Sequence, residues 1–192
     1  MLARLLSALL CLRLLAAATP PDHAFRIASL IDPAKLATLG ERGANPRVRK
    51  AVYWLAMARM ADENPINVID RAVDKAGYKG MAAALTRDAL LRNLRIADEL
   101  GCLDAAGLGE MKRGKAATVM RGPYAGDQLS VDHIIPFAVV RELDHVIANL
   151  ELMPLRMNES KNSHIGARQR DLAEKLFQAG LLSRAGRDAV VR

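Results

Sequence analysis

Three short strings in the last third of the chain carry residue types that can do chemistry together: Val131-Asp132-His133-Ile134-Ile135-Pro136, Asn149-Leu150-Glu151-Leu152-Met153 and Asn158-Glu159-Ser160-Lys161. A histidine side chain exchanges a proton near neutral pH and can take one from water. Carboxylate and amide oxygens, such as those of Asp132 and Asn158, are hard donors that suit Mg²⁺ or Mn²⁺ better than softer metals. Each residue also has a plainer alternative. His133 reads as a core histidine hydrogen-bonded by Asp132, and Asn149 as the cap of a turn. Asn158 reads as the N-cap of a helix that carries Glu159 to Lys161. Lys161 either touches a phosphate or is solvated. Neighbouring side chains on a strand point to opposite faces, so Asp132 and His133 share one site only if a substrate group lies between them.

Taken in order, the three strings resemble the HNH nuclease family, also called His-Me finger or ββα-metal nucleases, in the variant that ends in Asn. Members typically show Asp-His-Ile-x-Pro, then Asn-Leu, then a His or Asn followed three residues later by Lys. The likeness runs from Val131 to Lys161, and Arg121-Gly122-Pro123-Tyr124 is similar to what precedes the motif in some members. The resemblance implies an endonuclease that hydrolyses phosphodiester bonds of DNA, with RNA as a further substrate, and leaves 5′-phosphate and 3′-hydroxyl ends. It implies His133 as general base, and Asp132 and Asn158 as ligands of one divalent ion, Mg²⁺ or Mn²⁺. Asn149 would hold the loop between the strands and orient His133 without touching substrate. A degenerate scaffold that binds nucleic acid without cutting is the alternative; the presence of Asp132, His133 and Asn158 argues against such decay. Many members carry two CxxC pairs. This chain has Cys11 and Cys102 and no CxxC pair, which argues against a structural zinc site.

The formal charge of +7 fits a polyanionic partner, DNA first, because a basic surplus raises local polyanion concentration and phosphate neutralisation supplies much of the affinity for DNA. Lys161, Arg121 and Lys115 are the candidate nucleic-acid contacts, joined by Lys112, Arg113, Arg168 and Arg170; a solvated face is the equal alternative for this set. His145 reads as a turn residue in the connection between the strands, His164 follows the last string, and His23 falls in a presumed linker. Tyr53 and Trp54 read as core rather than as a base-stacking pair.

The elements that must position these residues are mostly helical. Hydrophobic residues make up 51% of the chain and aromatics 4%, and Ala- and Leu-rich segments favour helix over sheet. Helices are expected over a stretch within 25–40, over 47–61, 66–76, from a cap at Thr86 to about Leu100, and over 168–179, with Ser183 capping a last short one. Residues 107–128 read as a basic, glycine-rich approach. Leu129 opens a strand ended by Pro136, residues 150–153 form its partner, and a helix starts near Asn158. The expected fold is therefore α+β: a helical supporting region over 19–105 and a small ββα nuclease module with C-terminal helices over 106–192. Residues 1–18 read as a signal peptide, with Arg4 as positive region, Leu5 to Leu12 as apolar run and Ala16-Ala17-Ala18 as cleavage site; Arg13 interrupts it. Export to the periplasm or beyond is the corresponding expectation, with the cytoplasm otherwise. The apolar run is too short for a permanent membrane span. The sequence carries no sign of oligomeric state.

Overall fold

The structure, a computed structural model, describes residues 22–161 and 163–192. The expected signal peptide and the Pro20-Pro21 linker lie outside the described residues. The chain is α+β: mostly helical, with one two-stranded antiparallel sheet. Among the described residues no helix is long and apolar enough to cross a membrane.

The helical layer opens with α1 (His23–Ile31) and the single turn α2 (Pro33–Leu36). Asp32 explains the break between them. Its side chain accepts the backbone N–H groups of Ala34 and Lys35, and Pro33 occupies the first turn, where a missing N–H costs nothing. Then follow α3 (Asn45–Met60), α4 (Pro65–Lys75) and α5 (Gly80–Glu99), the last two starting at an Asn64 cap and at Gly80. Thr86 is not a cap: α5 begins six residues earlier and Thr86 is buried within it. His23 is not linker but the buried first residue of α1, with Nδ1 on the Glu63 carboxylate. Tyr53 is buried and Trp54 packs against the same core, as expected.

Helix α6 (Ala105–Lys112) occupies part of what the glycines at 107 and 109 make look like loop. Glycine weakens a helix interior by about 1 kcal/mol, but a Cβ on Gly107 would stand 2.1 Å from the Cys102 carbonyl oxygen. Close packing of the helix start on the preceding turn selects glycine there. Asp104 caps the helix by accepting the Gly107 N–H at 2.7 Å.

Strands β1 (Leu129–His133) and β2 (Leu150–Pro154) pair antiparallel, with Asp132 opposite Glu151 and His133 opposite Leu150. A two-stranded ribbon is marginal alone in water. Here α5 completes it: the buried Asn93 donates to the Leu150 carbonyl at 3.0 Å and accepts the Leu152 N–H at 2.7 Å, so a side-chain amide serves the free edge of β2. Leu129, Val131, Leu150 and Leu152 join the core of the helical layer. The strands lead into α7 (Leu155–Ser160), α8 (Ala167–Gln178) and α9 (Arg184–Val191). Ser183 caps α9 as expected. A second apolar cluster, with Ile135, Val140 and Leu143 against Ala173, Leu176 and Val190, fastens the connection between the strands to α8 and α9.

Candidate functional site

His133 closes β1 and is buried, and its Nε2 lies 2.9 Å from Oδ1 of the buried Asp144. A carboxylate only accepts, so the proton in this contact is on Nε2, which in a neutral imidazole leaves the lone pair on Nδ1. Asp144 is held in turn. Its Oδ2 accepts the Arg42 backbone N–H at 2.7 Å and lies 3.1 Å from His145 Nε2, which is also 3.0 Å from the Gly40 carbonyl oxygen. The helical layer thus reaches His133 through the turn before α3. Asp144 was not singled out in the sequence, although it adjoins His145 in a segment otherwise apolar around Leu143 and Val146.

Asn149 lies wholly buried beneath the loop that leaves β1. Its Oδ1 accepts the Ile135 N–H at 2.8 Å and its Nδ2 donates to the Ile135 carbonyl at 3.1 Å, while its own carbonyl accepts the Ile134 N–H. The side-chain amide therefore clamps Ile135 and the backbone carbonyl holds Ile134, the two residues that follow His133.

Asp132 and Glu151 oppose each other across the strands, where like charges destabilise. Each is neutralised separately. The Lys161 ammonium sits on Asp132 Oδ2 and also donates to the His133 carbonyl at 3.0 Å. Glu151 takes a two-pronged contact from Arg168 at 2.5 and 3.1 Å, with Arg92 Nε at 2.9 Å. The hydrogen bond to Glu151 raises Arg168 above its ordinary value, and burial lowers Arg92. Arg168, a candidate phosphate contact by sequence, has its guanidinium committed to the sheet.

Asn158 lies inside α7, which starts at Leu155, so it is not an N-cap. Its Nδ2 donates to Ser130 Oγ at 3.1 Å, and that hydroxyl donates to the Met153 carbonyl at 3.0 Å. This chain fixes the amide so that Oδ1 is the end left without a partner among the described residues.

Two clefts of about 230 and 310 Å³ flank His133 and Asp132. The first is bordered by Phe137 and Lys161, the second by Asn45, Asn158 and Glu159, and Arg42 borders both. Although β1 alternates, Asp132 and His133 both border these clefts. Arg121 and Lys115 border neither: Arg121 packs over Gly101 and Lys115 follows the end of α6. His164 is exposed.

Among the described residues, no three His, Cys, Asp or Glu side chains gather into a metal-binding group. The second cleft carries oxygen donors only from its carboxylates, Asp132 and Glu159, and its side-chain amides, Asn45 and Asn158. The Lys161 ammonium against Asp132 shows that a cation is electrostatically welcome at that carboxylate. Such a set fits an ion that keeps most of its water, as Mg²⁺ does. Compared with protein-family models, curated proteins and solved structures, the chain matches none.

Proposed function

We propose that the chain is a metal-dependent endonuclease of the HNH (ββα-metal) type that hydrolyses phosphodiester bonds of DNA. The observation that carries this reading is the His133–Asp144 pair: a buried carboxylate fixes one ring nitrogen and frees the other beside clefts that Asp132 and Asn158 border. Asp132 Oδ1 and Asn158 Oδ1 would hold a divalent cation, which when bound supplies charge neutralisation at the phosphate and at the departing oxygen.

His133 Nδ1 takes the proton of an attacking water as the water oxygen bonds to phosphorus. The P–O3′ bond breaks, and the departing oxygen takes a proton from solvent. Asp144 keeps the imidazole oriented and stabilises the imidazolium that forms, the service a buried carboxylate gives a histidine base. Asn149 holds the loop behind His133 and exchanges no proton. The Glu151 cluster anchors α8 and α5 to the sheet, so the cross-strand carboxylate opposite Asp132 does not compete for the cation.

The test is conversion of supercoiled plasmid with Mg²⁺ and with excess EDTA, beside a gel-shift measurement on the same DNA. Nicking with Mg²⁺ that EDTA abolishes is the expected result. Binding without nicking would make the chain a non-cutting nucleic-acid-binding scaffold, and full nicking in EDTA would remove the metal from the account.

A further inference from the structure

Arg42 stands in the turn before α3 with a backbone φ of 58°, a left-handed conformation that arginine seldom adopts. Such an outlier persists only where its surroundings hold it, and two contacts do so. The Arg42 N–H donates to Asp144 Oδ2 at 2.7 Å, and two residues earlier the Gly40 carbonyl lies 3.0 Å from His145 Nε2. The other oxygen of the same Asp144 carboxylate holds His133. A single carboxylate therefore fixes the position of Arg42 relative to the base.

The side chain is exposed and borders both clefts beside His133 and Asp132. The other cations around the sheet are occupied: Lys161 on Asp132, and Arg92 and Arg168 on Glu151. Among the described residues Arg42 makes no ion pair, and residues 1–21 and 162 contain no Asp or Glu that could supply one. Among the described residues the guanidinium is thus a cation at the clefts without an ion-pair partner, in a lining that also carries the Glu159 carboxylate, and its planar fork matches two phosphate oxygens. Asn45 borders the second cleft three residues on, with a buried Oδ1 that has no partner among the described residues.

We propose that Arg42 binds the non-bridging oxygens of the phosphate to be cut, at a distance from His133 set by Asp144. This rests on the nuclease reading above and adds a residue from the helical layer to it. Arg42 exchanges no proton; it neutralises charge that grows on the phosphoryl oxygens as water attacks. The turn itself is the rigid element, so only the side chain beyond Cβ is at issue.

Arg42→Gly isolates that side chain, because glycine adopts a φ of 58° freely and keeps the N–H to Asp144. The variant is expected to melt no lower than wild type and to cleave about 10²–10³-fold more slowly, the usual loss when one preorganised donor to developing charge is removed. Arg42→Lys keeps the charge without the fork and falls between them. Binding is read separately, on a 20-base-pair duplex in a His133→Ala background without turnover. Adding Arg42→Gly there lowers the slope of log affinity against log salt by about 0.9, one phosphate contact. An unchanged slope overturns the proposal. The nuclease reading fails instead if wild type shows no metal-dependent nicking, and the slope still decides whether Arg42 holds a phosphate in a scaffold that does not cut.

Discussion

The helical layer and the strand–loop–strand segment are built on opposite terms. Among the described residues eight polar side chains are buried, and five of these lie between Leu129 and Glu151: Ser130, His133, Asp144, Asn149 and Glu151. The layer from α1 to α6 buries only His23, Thr86 and Asn93, and Asn93 serves β2. An unpaired buried polar group costs several kcal/mol, so a fold selected only for stability avoids concentrating them. Here each of the five has partners, and the partners converge on the loop around His133 and on the sheet beside it. The apolar layer supplies stability, and the polar segment supplies a fixed geometry that the stability makes affordable.

The two regions should respond differently to substitution. Asp144→Asn should lower cleavage by about 10²–10⁴-fold, because an amide can donate to His133 and select the wrong tautomer. Metal affinity should stay at the wild-type value; a joint loss of metal and cleavage would mean that the loop has merely collapsed. In the helical layer, Leu90→Ala removes a fully buried side chain. It should cost about 2–5 kcal/mol in urea unfolding and leave the cleavage rate per folded molecule unchanged. Asn149→Ala stands between the regions: the two orphaned Ile135 groups should cost about 1–3 kcal/mol in the same measurement, and cleavage should fall as the loop loosens. The smallest effect belongs to Cys102. Burial pushes its thiol up to about 11, which favours the neutral form. At pH 8 the folded protein should therefore leave Cys102 unlabelled by a disulfide reagent, and labelling should appear with unfolding.

Helical periodicity made most elements readable to within a few residues: 47–61 against Asn45–Met60, 66–76 against Pro65–Lys75, and 168–179 against Ala167–Gln178. The exceptions have local causes. Helix α6 is hidden because packing on Cys102 demands the glycine that propensity penalises, and Thr86 reads as a cap although it points into the core. In the site, chemistry-bearing residues close together in sequence were legible, and those delivered by tertiary contact were not. Asp132, His133 and Asn158 stand in recognisable strings. Arg42 lies 91 positions before His133, and Asn93 completes a strand 57 residues away; no spacing rule links either to the strings. The sequence leaves Lys161 open between a phosphate contact and solvent, and the fold places its ammonium on Asp132.

Asp132 and His133 are adjacent yet have separate tasks in the proposed mechanism, and one paired measurement distinguishes them. Plasmid-nicking rates and calorimetric Mg²⁺ titrations are taken on wild type, His133→Ala and Asp132→Ala. His133→Ala should lose about 10²–10⁴ in rate, the usual worth of a positioned general base, and bind Mg²⁺ as wild type does. Asp132→Ala should bind Mg²⁺ weakly and recover part of its rate at high Mg²⁺. If His133→Ala loses the metal as badly as Asp132→Ala does, His133 is a ligand and not the base, and the division of labour described here is wrong.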